Sequence, residues 1–151
     1  EEGMTRFLGF TAHSVEAALA MMDRYDFDTI LCPFNWTAWY AGNFGPQVMA
    51  RAKEQGMGIL ALKSMARGPW KQGADRSGYP KCWYEPLTSP EDILMGLRFT
   101  LSHPVTAAVP PGDENLFRQA LALSDRIKPL SDAEIESLSE MALKGTPLFK
   151  A

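Results

Sequence analysis

The sequence predicts an α/β fold built on a parallel sheet. Two observations carry that expectation. Four short apolar segments read as strands, and each is followed by a segment with apolar residues at helical spacing. Neighbouring strands joined through a helix need a crossover connection, which makes them parallel. Periodicity leaves open whether the sheet closes into a barrel or stays open.

The first strand reads from Thr5 to Phe10. Ser14 suits a helix N-cap, because its hydroxyl accepts from an orphan backbone N–H. Val15, Ala18, Leu19, Met22 and Tyr25 follow at helical spacing. The second strand, Thr29–Cys32, is apolar without alternation, as a strand buried on both faces is. Pro33 ends it, and Phe34 to Phe44 reads as a polar and aromatic loop. Pro46 fits the first turn of the next helix, whose apolar face is Val48, Met49 and Ala52, with Gly56 at its C-terminal stop.

The third strand is Gly58–Leu62. The stretch from Lys63 to Thr88 is long, and its aromatics (Trp70, Tyr79, Trp83, Tyr84) predict a packed loop. Ser89, Pro90, Glu91 and Asp92 open a helix in the order that capping and the helix dipole favour. Ile93, Leu94, Leu97 and Leu101 line its buried face, and His103 falls at its solvated end. Val105–Val109 is the fourth strand, broken by Pro110-Pro111-Gly112. Asp113 caps a helix carrying Leu116, Ala120, Leu121 and Leu123. Ser131 and Glu134 form a capping box for a last helix, with Ile135, Leu138, Met141 and Ala142, that stops at Gly145.

Composition narrows the function classes. Among 151 residues, 46% are apolar and 22% charged, and the net charge is −3 with scattered cations, which argues against nucleic acid or an acidic membrane as partner. No run is long and apolar enough to span a bilayer, and no signal peptide is visible. Two cysteines, Cys32 and Cys82, stand far apart and outside any metal-spaced motif, so no metal site is expected. Cys32 reads as a small buried hydrophobe, and a reducing cytoplasm is the simplest compartment. The chain opens with Glu1-Glu2-Gly3 and enters a strand almost at once, as a domain cut from something longer does.

Four segments in order resemble the aldo/keto reductase family, in its branch related to iron–sulfur-containing members. Gly9-Phe10-Thr11-Ala12-His13-Ser14 resembles the turn after the fifth barrel strand, and Phe27 to Trp36, with its Phe34-Asn35 pair, the sixth strand. Gly58 to Gly68 is similar to the seventh strand and the cofactor loop beyond it. Ala108 to Gly112, followed by Glu114-Asn115-Leu116, resembles the eighth strand and the helix start that holds the adenosine phosphate. Pro129-Leu130 and Ser131 to Ala151 resemble the closing helix and tail. The resemblance implies strands five to eight of a (β/α)8 barrel: a parallel (β/α)4 half-barrel, TIM-barrel-like, over residues 1–151 as one domain, with an extra C-terminal helix. The cysteine-rich tail of the iron–sulfur members is absent, so no cluster is expected.

The family's catalytic Asp, Tyr, Lys and His lie in the first half of the barrel, so the resemblance assigns no catalytic residue to this chain. It does imply part of an NADP(H) site: Thr11, His13, Asn35, Lys63, Ser64, Arg67, Gly68, Pro111, Gly112, Asn115 and Arg118. Topology supports it independently, since ligands of parallel sheets bind at the C-terminal strand ends, where Thr11, His13, Asn35, Lys63, Ser64 and Gly112 fall.

Each residue also has a plainer reading. Thr11 and Asn35 bond either a carboxamide or ribose, or their own loop backbone. Lys63, Arg67 and Gly68 form either a basic anion-holding loop or a solvated connector. Asp113 and Glu114 oppose a phosphate at their helix start, and Arg118, one turn in, would offset them. Leu62 stands where many members stack an aromatic on the nicotinamide, and Thr29 or Leu31 where a Gln holds its carboxamide. No Arg/Lys–Ser set for a 2′-phosphate is present, so NADP and NAD stay open.

A half-barrel exposes two sheet edges and an apolar inner face. The expected partner is a second copy about a two-fold axis, giving a homodimer, or an N-terminal half-barrel. Three functions follow: a half-barrel with a partial cofactor site and no reductase activity alone, a part of an active NADP(H)-dependent carbonyl oxidoreductase, or a non-enzymatic scaffold.

Overall fold

A computed structural model describes residues 3–151; Glu1 and Glu2 lie outside the described residues. In chain order the elements are β1 (Gly9–Thr11), α1 (Val15–Met22), β2 (Thr29–Pro33), α2 (Trp36–Tyr40), α3 (Pro46–Glu54), β3 (Gly58–Leu62), β4 (Ala66–Gly68), β5 (Glu85–Pro86), α4 (Pro90–Leu101), β6 (Ala107–Ala108), α5 (Glu114–Ala122) and α6 (Asp132–Leu143). β1, β2, β3 and β6 form one sheet in that order, parallel throughout. The parallel α/β expectation holds.

Register decides which side of the sheet is core. Phe10, Ile30 and Ile59 stand in one row, and Cys32, Ala61 and Ala108 in another two residues on. Rows two apart share a face. This face joins Ala18 and Met22 of α1, Val48 and Ala52 of α3, Ile93 and Leu97 of α4, and Leu116 of α5 in a single apolar cluster. The other face carries Gly9, Thr29 and Gly58, then Thr11, Leu31, Leu60 and Ala107, all half-buried or exposed. It is the face that a closed barrel turns inward.

Local signals set the helix starts. Ser14, Ser89, Asp113 and Ser131 each accept a hydrogen bond from the N–H three residues on, and Ser131 and Glu134 form the full reciprocal box. Cys32 is buried, and burial pushes its thiol up to about 12.

Several expectations need correction. The first strand is confined to Gly9–Thr11, because Leu8 spends its N–H on the Asp28 carboxylate and no strand lies outside it; Phe7 and Leu8 stay exposed. The fourth narrows to Ala107–Ala108, also at an edge. Pro33 ends β2, as its last residue. The loop after it contains α2, capped by Asn35, and the stretch after β3 folds back as the antiparallel pair β4–β5.

His103 is half-buried rather than a solvated helix end. Its ring packs against Phe34, Trp39 and Phe99 with centroids 4.7–5.1 Å away, and Nδ1 lies 2.8 Å from the Phe99 carbonyl. Leu101 and Leu121 are 39% and 57% exposed instead of lining buried faces. They flank a cleft between α4 and α5, the pair of helices over the β6 edge.

Candidate functional site

The strand ends converge on one side of the sheet, and Asn35 locks two of them together. Its Oδ1 accepts from Ala38 N (2.8 Å), starting α2, and its Nδ2 donates to the Lys63 carbonyl (3.2 Å). That second bond joins the exits of β2 and β3. It also anchors an unusual backbone, since Lys63 has φ +71°, in the left-handed region that costs a side-chain-bearing residue about 1 kcal/mol.

This turn throws the Lys63 side chain over two rings. Nζ lies 5.3 Å from the Trp83 centroid and 4.8 Å from that of Tyr84. Burial lowers the lysine pKa, with the Cys82 sulfur acting the other way. Cys82 is raised by its own burial and by Asp113, and lowered by Lys63. Tyr84 is pushed up to about 12, chiefly by burial.

The other candidates are more occupied. Thr11 Oγ1 donates to the Leu31 carbonyl at 2.9 Å. Ser64 is buried toward α4, where a Cβ on Gly96 would sit 2.4 Å from its carbonyl oxygen. Arg67 contacts Asp92 at 2.5 Å and Glu85 at 3.5 Å. Gly68 is buried, and a Cβ there would lie 2.9 Å from the Thr146 carbonyl, so the close approach it permits is to the chain's own tail. At the β6 exit Gly112 is open, with nothing nearer to an added Cβ than Lys81 at 4.0 Å. Asp113 Oδ1 accepts from Leu116 N at 3.0 Å, placing a carboxylate at the helix start. Asn115 is exposed. Arg118 is taken by Glu114, with contacts of 2.7 and 3.1 Å, and so does not offset Asp113.

The tail packs beside the mouth, where His13 stays exposed. Ala151 N donates to the Gly42 carbonyl (2.9 Å), and the Phe149 ring lies 5.5 Å from His13, 5.7 Å from Phe44 and 6.2 Å from Trp83. Sequence reading missed Phe149, Cys82 and the rings beneath Lys63. The run Lys81-Cys82-Trp83-Tyr84 in an otherwise polar loop was the available signal. Among the described residues no group of three acids, histidines or cysteines could hold a metal.

No family model matches this sequence, and no curated protein matches it. Solved structures do. The glycerol dehydrogenase AKR11B4 from Gluconobacter oxydans superposes with a TM-score of 0.57 at 17% identity, over 97% of this chain and 51% of its own. The holo form of the aldo-keto reductase AKR11C1 from Bacillus halodurans gives 0.56 at 14% identity, over 96% of this chain and 53% of its own. This is the fold of an aldo-keto reductase half-barrel.

The half-barrel spans about half the length of the structures it matches, and its four parallel strands with their helices agree with the C-terminal half. A nicotinamide dinucleotide fits its residues only in part. Lys63 and the open backbone at Gly112 suit a pyrophosphate, whereas the carboxylate of Asp113 and the Arg118–Glu114 pair do not suit a second phosphate at α5.

Proposed function

We propose that this chain is the nucleotide-holding half of an aldo-keto reductase barrel, binding NADP(H) weakly and lacking reductase activity on its own. Lys63 carries the reading. Its amine stands at a strand end, over the Trp83 and Tyr84 rings, and has no carboxylate partner among the described residues. Thr11, His13, Asn35, Ser64, Arg67, Gly68, Pro111, Asn115 and Arg118 are the remaining proposed contacts. The bonds most of them already make argue for a weak site. A bound NADPH would supply hydride; the resemblance puts the proton donor in strands outside this half.

The half-open sheet face supports a partner, either a second copy or an N-terminal half-barrel, that completes eight strands. The match to about half of AKR11B4 favours the second, which makes the chain part of an active carbonyl oxidoreductase. The Phe149 ring packed beside His13 favours the scaffold reading instead. Two buried cysteines that form no disulfide support a cytoplasmic setting; no helix among the described residues is long and apolar enough to cross a membrane.

Titration of the purified chain with NADPH, followed by cofactor fluorescence, tests the proposal. We expect saturation with Kd between about 0.1 and 1 mM and no NADPH consumption with glyceraldehyde. Binding absent at millimolar cofactor, or turnover by the chain alone, overturns it.

A further inference from the structure

We propose that residues 146–151 act as a strap that competes with a nucleotide for the strand-end mouth, so that cofactor binding and tail docking exclude each other. This is regulation of the site already described, and it rests on the nucleotide reading. The tail meets that site at three points. The Thr146 carbonyl stands where a Cβ on Gly68 would come within 2.9 Å of it. A glycine offers a ligand only its backbone, and the missing Cβ is what lets a phosphate come close. At Gly68 that approach is already taken, and a phosphate there would meet the Thr146 oxygen head-on. The Phe149 ring lies 5.5 Å from His13, a second proposed contact. It also stands at 89° to the Trp83 ring, 6.2 Å away, and Trp83 is one of the two rings beneath the Lys63 amine.

The strap is lightly held. Among the described residues its single hydrogen bond runs from Ala151 N to the Gly42 carbonyl, at 2.9 Å. Thr146, Lys150 and Ala151 are exposed, and Pro147, Leu148 and Phe149 are only half-buried. Lys150 makes no ion pair among the described residues. The grip is therefore mainly that of the Phe149 ring among His13, Phe44 and Trp83. A segment with so few bonds and so little burial opens far more easily than the core it leans on. Its seat is nonetheless fixed, because a side chain at Gly42 or Gly68 would collide with its carbonyls. Weak hold at a defined place is what a displaceable strap needs. A strap seated about nine-tenths of the time lowers apparent affinity about tenfold, since only the open fraction takes ligand.

NADPH, titrated by cofactor fluorescence into the full chain, into a chain ending at Gly145 and into Phe149→Ala, is the test. The shortened chain should bind about tenfold more tightly and Phe149→Ala about threefold. Damage to the fold would weaken binding, so a gain separates competition from instability. Amide exchange on the full chain gives a second readout, and saturating NADPH should speed it at Leu148 to Ala151. If the shortened chain does not melt cooperatively, Phe149→Ala and the exchange measurement decide. Equal or weaker binding by both variants, or tail exchange that NADPH leaves unchanged or slows, overturns the strap while the NADPH binding itself leaves the nucleotide reading standing. Binding by none of the three chains overturns the nucleotide reading and the strap with it.

Discussion

Arg98 and Glu134 are joined by paired hydrogen bonds of 2.6 and 2.8 Å across 36 positions of sequence. The same guanidinium donates to the carbonyls of Lys128 and Pro129 at 2.9 Å. One side chain on α4 thereby holds the segment that leads into α6 and the first residues of that helix.

The pair predicts an acid-sensitive α6. Arg98 first, then Ser131, holds the Glu134 carboxyl down at about 2, below its ordinary 4.5. A folded pKa below the unfolded one stabilises at higher pH, so this contribution is complete above about 4.5 and is lost as pH falls toward about 2. Acid unfolding followed by near-ultraviolet circular dichroism should be steeper for the parent chain than for Glu134→Gln. Identical slopes would remove the pair from the account.

His103 predicts a second pH effect, at higher pH. Burial lowers its pKa from 6.5, with the Phe99 carbonyl opposing. The folded state therefore favours the neutral ring, and stability present above about 6.5 declines as pH falls below it. His103→Gln should flatten the thermal midpoint between about pH 7 and pH 5. Phe99→Ala, at the centre of the same cluster, should cost about 3–5 kcal/mol in a denaturant titration.

Gly42 and Gly68 predict how the tail is held. A Cβ at Gly42 would lie 2.2 Å from the Phe149 carbonyl and 2.7 Å from that of Ala38, so alanine disturbs both tail and α2. At Gly68 the conflict is with Thr146 alone, at 2.9 Å. Gly42→Ala should cost about 1–3 kcal/mol, and Gly68→Ala less. Both should speed amide exchange at Ala151. Unchanged exchange in Gly68→Ala would place the tail elsewhere in solution.

The thiols predict chemical silence. Cys32 and Cys82 are buried, and burial is the largest cause of the raised pKa of each. Ellman's reagent at pH 8 should find almost no reactive thiol in the folded chain and both after denaturation. Prompt reaction of one thiol would mean that the Lys81–Tyr84 loop opens.

Much of this architecture is legible because it is local. Ser14, Ser89, Asp113 and Ser131 cap helices through bonds three residues long, and each core strand is a contiguous apolar run. What escaped is long-range or short. α2 has five residues, too few for periodicity to register. The pairing of Ala66 with Pro86 bridges a loop with no alternating pattern. His103 reads as an exposed helix end until Phe34 and Trp39, from another unit, arrive around it.

The candidate site divides the same way. Topology placed residues at strand ends. Of its two readings for Thr11 and Asn35, bonding to backbone is the one the structure shows, whereas the Arg67–Asp92 pair and the Phe149 ring packed beside His13 had no sequence signal.

Both outermost strands of the sheet are stubs: three residues in β1 and two in β6. An incoming neighbour finds few amides and carbonyls to zip onto at either rim. A proposed partner closing the ring would have to grip through hydrocarbon, above all the row containing Leu31 and Leu60 on the open side. A greasy seam with little backbone pairing sets alignment poorly, so such a partner would have to bring its own means of finding the correct offset.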